Sequence, residues 1–334
     1  MSAGRGARPS ALEPVTRPAD PRPGPHGGDG PAVARHLGLD PAAMLDLSAS
    51  LNPLAPDVAA VLRCLDDRTV STYPDAEPAT DALAGAIGVP ADRLLLTNGG
   101  AEAIALVAAE HPTGSVPQPA FSLYRRHLAD DGDGGRATGA TPDDGSGAMV
   151  WRANPSSPLG ELADPDVTAA VWDEAFWPLA TGTWSRADTS SYRLGSLTKL
   201  WACPGLRLGY VITPTASQRD ALERRQPRWA VNGLALAALP PLLEQTDLAG
   251  WQHGIATLRH DLAGLWRAQG FVVREATANW VLVEDAAHLR LPLARCGVLV
   301  RDCGSFGLPG VIRVAVPGTD DLSRVERALT ALAR

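Results

Sequence analysis

Lysine is almost absent from this chain. Of its 334 residues, 30 are lysine or arginine, and all of these are arginine except Lys199. Arginine stays protonated in proteins and cannot form an imine, whereas a desolvated lysine can lose its proton and attack a carbonyl. Drift of a GC-rich genome toward arginine is the plainer explanation. The setting, Tyr192-Arg-Leu-Gly-Ser-Leu-Thr-Lys199 followed by Pro204-Gly-Leu-Arg207-Leu-Gly-Tyr210, favours an amine kept for its chemistry. Cysteine is scarce as well. Cys64, Cys203, Cys296 and Cys303 show no C-x-x-C and no metal-ligand spacing, which argues against a zinc site or a disulfide scaffold. They are expected to be reduced, buried small hydrophobes of a cytoplasmic protein; Cys203, close to Lys199, is read as core. No apolar run approaches the length of a membrane span. Met1 to Gly30 is rich in Pro, Gly and Arg and lacks an apolar stretch, so it is not read as a secretory leader. Excess positive charge is missing too: the net charge of −7 argues against nucleic acid as a partner.

What is present is a substantial apolar fraction, 45%, enough for one large domain and a smaller one. Short apolar runs alternate with helical patterns over roughly 57–235. Strands are expected at Arg93 to Thr97, Gly114 to Pro117, Met149 to Ala153, Thr168 to Trp172, Tyr192 to Gly195 and Leu208 to Ile212, with helices at Ala101 to Ala109 and from Phe121 to Leu128. Such runs fit a sheet buried on both faces, hence an α/β domain with a mostly parallel central sheet sandwiched by helices. Asn98, Asn154, Asp173 and Ser196 all fall at or just past strand ends, where ligands of these sheets collect. From Pro240 the pattern changes: a helix over Asp247 to Gln269, strands at Phe271-Val-Val, Asn279 to Val283, Val298 to Arg301 and Val311 to Val316, then a helix over Asp321 to Leu332. This is a small C-terminal α+β domain. Asp130 to Gly147 is Asp/Gly-rich and reads as a surface loop.

Thr97-Asn-Gly99-Gly100-Ala101-Glu102 joins a strand to a helix, where small residues let a phosphate approach backbone N–H groups. A Gly pair is usually only a turn; beside a reactive lysine it reads as a phosphate cradle, to which Ser196, Thr198 and Arg207 could add donors. Asp173 in Val171-Trp-Asp-Glu-Ala-Phe176 could hold a pyridine nitrogen protonated, or be a solvated loop acid. Phe121 could stack on a ring, or be core.

Together these residues resemble the fold-type I pyridoxal-phosphate enzymes of the class I/II aminotransferase superfamily, from about Pro25 to Ala333. The likeness is greatest to the branch of threonine-phosphate decarboxylases and histidinol-phosphate aminotransferases. It is carried by His26-Gly-Gly-Asp29, Asp46-Leu-Ser-Ala-Ser-Leu-Asn52-Pro-Leu, Tyr73-Pro-Asp75, the Ser196 to Tyr210 block, and Arg301-Asp-Cys-Gly-Ser-Phe306 with Ile312-Arg313-Val-Ala-Val. The Pro-, Gly- and Arg-rich start is expected to be a disordered extension over 1–24; the domains expected beyond it are an arm over 25–56 contributing to the active site, a cofactor-binding domain over 57–235 and a small domain over 236–334. The resemblance implies pyridoxal 5'-phosphate bound through Lys199, with Asp173 on the pyridine nitrogen and Phe121 on the ring. Gly99, Gly100, Ala101, Ser196, Thr198 and Arg207 would surround the cofactor phosphate. Tyr73 would reach that phosphate from a partner subunit, so the protein would be a homodimer with shared sites. Arg313 would clamp the substrate carboxylate; His26, Asn52 and Arg301 would surround a phosphate of the substrate. Outside the resemblance, His26 reads as a tail residue, Asn52 as a cap before Pro53 and Arg301 as a solvated strand end.

The chain departs from the family pattern in three places. Asn154-Pro-Ser-Ser-Pro-Leu-Gly160 puts Ser157 where an Asn amide normally donates to the cofactor's phenolic oxygen. Phe176 stands where a tyrosine often does the same. Ser50 replaces the first amide of the Ser-Ala-Asn-Ile-Asn pattern, which weakens the expected substrate-phosphate contacts. The first two imply a raised pKa for the cofactor–lysine imine. The reaction expected is decarboxylation of L-threonine O-3-phosphate to (R)-1-aminopropan-2-yl phosphate in cobalamin biosynthesis. The alternatives are an aminotransferase of the histidinol-phosphate type and, behind it, a non-catalytic pyridoxal-phosphate-binding protein.

Overall fold

The computed structural model describes residues 20–24, 26–129 and 149–333. The loose extension expected before residue 20 and the loop expected at Asp130 to Gly147 lie outside the described residues. Strand β1 (Leu45–Asp46) comes first. It is followed by β2 (Leu94–Thr97), β3 (Gly114–Ser115), β4 (Met149–Ala153), β5 (Val171–Asp173), β6 (Tyr192–Ser196) and β7 (Gly209–Ile212). The last six make one sheet in the order β2-β7-β6-β5-β4-β3. Neighbours from β3 to β6 are parallel, and β7 runs antiparallel between β6 and β2.

The sequence explains why this sheet is covered on both faces. Successive strand side chains point to opposite faces. Leu94, Leu96, Tyr210 and Ile212 fall in one buried cluster with Leu83 of helix Glu77–Ile87 and Leu239 of helix Gly233–Glu244. Leu95 and Val211 fall in another with Ile104 and Val107 of helix Gly100–Glu110. A strand apolar at every position needs a helix layer on each side, as expected. Two glycines allow the central strands to close up. A Cβ on Gly195 would run into the Tyr210 ring, and one on Gly209 would lie 2.7 Å from the Gly100 nitrogen.

The C-terminal part adds β8 (Val273–Glu275), β9 (Trp280–Val283), β10 (Val298–Leu299), β11 (Arg301–Asp302) and β12 (Ile312–Ala315). Four of these form an antiparallel sheet ordered β11-β12-β9-β8, while β10 pairs in parallel with β1. The run Val298 to Arg301, expected as one strand, is therefore split. Its first half pairs with β1 and Arg301 pairs with β12, with buried Val300 between the two. The strand expected to start at Phe271 starts at Val273; Phe271 packs against Trp266, ring centroids 5.5 Å apart, at the end of the helix Leu248–Ala268. That helix opens on Asp247, whose carboxylate accepts the Gly250 N–H at 2.9 Å.

Asp20 to Gly24, expected within the loose extension, instead lie against three arginines. Arg295 meets Asp20 at 3.0 Å, Arg290 donates to the Pro21 carbonyl at 3.2 Å, and Arg301 donates to the Gly24 carbonyl at 3.0 Å. The cysteines divide: Cys203 and Cys303 are buried, but Cys64 and Cys296 are exposed, and all four are free thiols. No helix among the described residues is long and apolar enough to cross a membrane.

Candidate active site

The carboxyl ends of β4, β5 and β6 and the start of helix Gly100–Glu110 open on a cavity of about 400 Å³, closed from the other side by His26, Arg301 and Arg313. Lys199 is at its centre. Ser196 ends β6 and caps the short helix Leu197–Leu200, so the lysine follows the strand end by three residues. Its Nζ donates to the Ala49 carbonyl at 2.7 Å and lies 5.9 Å from the Phe176 ring centre. Burial, then the charges of Arg313 and Arg207, lower its pKa to about 8. An amine in that range supplies free base at neutral pH, which a solvated lysine does not.

At one end lie Gly100 and Ala101, with Ser196, Thr198 and Arg207 facing them. The Ser196 and Thr198 hydroxyls are 2.7 Å apart. The Arg207 guanidinium donates to the Asn98 carbonyl at 3.4 Å and to the Pro204 carbonyl at 3.3 Å. Gly99 has φ +78, and a Cβ there would lie 2.5 Å from Arg207 Nη2. Gly99 is therefore the place where Arg207 crosses the backbone, next to the cavity rather than on its wall. Helix N–H groups, two hydroxyls and a guanidinium make a phosphate cradle.

At the floor, Asp173 ends β5. Its Oδ1 accepts the Ala175 N–H at 3.0 Å and its Oδ2 accepts the Tyr124 hydroxyl at 2.6 Å. Burial raises its pKa; these two hydrogen bonds oppose the rise. Phe121 lies edge-on to Tyr124, centroids 5.8 Å apart, and to His26 at 5.5 Å. Ser157 lines the same wall, and its hydroxyl accepts from Arg313 Nη1 at 3.4 Å.

The third corner is cationic. Arg301 and Arg313 are register partners on β11 and β12. Both are buried, and both lie over the Phe306 ring, at 5.3 and 5.7 Å; Arg313 is also 4.8 Å from the Trp280 ring centre. Arg301 Nη2 donates to Ser305 Oγ at 2.9 Å. Burial brings the Arg313 pKa down to about 10. Burial, then Arg301 and Arg126, lower that of His26. Like charges side by side on one sheet face repel, so this corner is built for an anion.

Two expected residues are elsewhere. Asn52 does not line the cavity. Its Nδ2 donates to the Leu200 carbonyl at 2.9 Å, its Oδ1 accepts the Leu54 N–H at 3.0 Å and its N–H donates to the Lys199 carbonyl at 3.1 Å. Its amide clamps the lysine loop and does not reach the cavity. Tyr73 is 77% exposed and stacks on Trp229, centroids 4.4 Å apart, away from this cavity. Cys203 is core, its thiol pushed up to about 11 by burial. The sequence reading missed Tyr124, the Ala49 carbonyl and Ser48, whose Oγ accepts the Gly28 N–H at 2.8 Å and holds the His26 strap in place. Tyr124 was detectable: it is one helical turn after Phe121, on the same face.

An amine of lowered pKa between a phosphate cradle and a strand-end carboxylate defines a site for a phosphorylated aldehyde cofactor with a ring nitrogen. The Gly100 helix start with Ser196, Thr198 and Arg207, the Asp173 carboxylate and the Lys199 amine, all on the wall of one cavity, fit pyridoxal 5'-phosphate. The architecture is that of the fold-type I pyridoxal-phosphate enzymes. A solved histidinol-phosphate aminotransferase from Sinorhizobium meliloti, in complex with pyridoxal-5'-phosphate, superposes with a TM-score of 0.74 at 20% identity, covering 91% of this chain and 95% of that one. Residues 139–332 match the family "Aminotransferase class I and II". The threonine-phosphate decarboxylase of Salmonella typhimurium is 30% identical, over 92% of this chain and 95% of its own. The histidinol-phosphate aminotransferase of Haloferax volcanii is 32% identical, over 90% and 92%. The chain belongs to the class I/II aminotransferase family and is a pyridoxal-phosphate-dependent enzyme.

Proposed function

We propose that the enzyme decarboxylates L-threonine O-3-phosphate to (R)-1-aminopropan-2-yl phosphate, in the cytoplasm, as a step toward the cobalamin nucleotide loop. The observation that carries this reading is the register pairing of Arg301 with Arg313. Directly opposed side chains have Cβ atoms about 5 Å apart, so two guanidiniums are offered side by side. A phosphorylated β-hydroxy amino acid carries a carboxylate and a phosphate at a matching short separation. Histidinol phosphate carries no carboxylate and leaves one guanidinium unanswered. The Salmonella relative bears the name of the same activity.

In this reading Arg313 takes the carboxylate, and Arg301 with His26 takes the phosphate. Pyridoxal phosphate, when bound, supplies an electron sink for the bond broken at the substrate Cα. Asp173 would pair with the ring nitrogen, and Lys199 would hold or return a proton at the substrate Cα. By fixing the substrate's carboxylate and phosphate, the two arginines would set how its Cα is presented and so choose between losing CO₂ and losing a proton. Tyr73 reaches the cofactor phosphate of a second copy, which makes the protein a homodimer.

A second reading, amino transfer of the histidinol-phosphate type, is favoured by the Haloferax relative. A panel of amino acid phosphates assayed at once for CO₂ and for glutamate formed from 2-oxoglutarate separates them. CO₂ release without 2-oxoglutarate supports decarboxylation; amino transfer without CO₂ contradicts it. Arg301→Ala should raise KM for phosphorylated substrates by tenfold or more and leave non-phosphorylated ones unaffected; equal loss on both would remove Arg301 from the phosphate.

A further inference from the structure

Asp173 is held by a partner that nothing in its own segment supplies. Tyr124 is one turn along the helix Ser122–His127 from Phe121, fully buried, with its ring against Phe121 and 6.0 Å from that of Trp151. Its hydroxyl oxygen is 2.6 Å from Asp173 Oδ2, the length of a charge-assisted O–H···O⁻ bond. The other carboxylate oxygen is taken by the Ala175 N–H. From this geometry we infer that Tyr124 is a positioning residue: it fixes the Asp173 carboxylate in its charged form, and so decides whether the cofactor's ring nitrogen carries a proton. The inference rests on the assignment of Asp173 to that nitrogen.

The argument is one of competing effects. The Asp173 carboxylate is driven toward its neutral form by lost solvation. A neutral Asp173 would offer the ring nitrogen a donor where it needs an acceptor, and the ring would be a poor electron sink. Two fixed donors oppose this, and the stronger is the phenol. Tyr124 cannot itself take over the negative charge, because burial and the neighbouring Asp173 hold its own proton well beyond the ordinary tyrosine range. The phenol is thus a permanent donor. Asp173 keeps lone pairs free for a third donor, the ring N–H.

The test is to load wild type and Tyr124→Phe with cofactor labelled with ¹⁵N in the ring and follow that nitrogen's NMR shift against pH. Tyr124→Phe removes one oxygen and keeps the contacts to Phe121 and Trp151. The expected result is a protonated ring nitrogen in wild type at pH 7, a deprotonation midpoint at least one unit lower in the variant, and cofactor Kd raised about tenfold. Identical titrations with a protonated wild-type ring would overturn the role of Tyr124 alone. A neutral ring in wild type would overturn the Asp173 assignment and this inference with it. Should the variant not fold, wild-type apoprotein supplies the answer: the Tyr124 hydroxyl proton should give a downfield, slowly exchanging signal, and its absence up to pH 8 would contradict the bond.

Discussion

At the residue scale the site turns on the cost of burying charge. The Lys199 pKa falls to about 8 from an ordinary value near 10.5, chiefly through burial. Between those values the unfolded chain binds more protons than the folded one, so apoprotein stability rises as pH climbs from 8 to 10.5, and the penalty is complete below 8. Lys199→Met should therefore stabilise the apoprotein at pH 7 by about 1–3 kcal/mol, with the gain fading toward pH 10.5; denaturant melts at the two pH values check this. Equal stability at pH 7 would mean the amine is not desolvated as the structure has it. Ser157 carries the second residue-scale prediction. Its hydroxyl accepts from Arg313 and keeps its proton to donate; where the family resemblance expects an Asn amide to reach the cofactor's phenolic oxygen, this shorter side chain would reach less far. Ser157→Asn should lower the pH at which the cofactor–lysine link loses its proton by about one unit, read from the absorbance titration of the loaded protein. An unchanged titration would show that Ser157 does not tune the link.

At the element scale the strand ends do the assembling. The C-terminal edges of parallel strands and the Gly100 helix start could be located from apolar runs, because a strand buried on both faces has no other pattern. Asp173 and Ser196 could be placed together on that ground, whereas Asn98 and Asn154, grouped with them by the same rule, do not line the cavity. What the residue order could not show was closure across long separations. Asn52 was read as facing substrate because nothing local reveals that its amide meets the Leu200 carbonyl, 148 positions away. Tyr124 was missed for a similar reason: its partner is 49 positions on. The break between Val298–Leu299 and Arg301–Asp302 was hidden because both halves are apolar-flanked and continuous in sequence; only pairing with β1 and β12 separates them. Close approach of elements is testable by a single methyl. Gly209→Ala would push a Cβ to 2.7 Å from the Gly100 nitrogen, a backbone atom that cannot swing aside. It should cost about 1–3 kcal/mol and weaken cofactor retention. Gly264→Ala, with open space around it in a helix, should be neutral or stabilising by up to about 1 kcal/mol. Chemical denaturation of both variants decides it; matching values would mean the two strands are not packed as tightly as the structure has them.

At the scale of the whole molecule, one surface is left over. Val70, Tyr73 and Trp229 are three of five large hydrophobic residues that stand exposed among the described residues. A stacked aromatic pair open to solvent is unusual for a closed surface and is what a proposed dimer with shared sites would cover. Such sharing has a direct consequence. Lys199→Ala and Tyr73→Ala proteins, each inactive or nearly so alone, should regain about a quarter of wild-type activity when unfolded and refolded together, because half of the mixed dimers' sites unite an intact lysine with an intact tyrosine. No recovery would place Tyr73 outside the partner's site. The most direct measurement exploits the scarcity of lysine. Borohydride reduction of the cofactor-loaded enzyme, digestion and mass spectrometry should find one pyridoxyl group per chain on the peptide containing Lys199, and none in Lys199→Ala. A cofactor left unattached, or fixed instead at the N-terminal amine, would contradict the assignment on which the site is built.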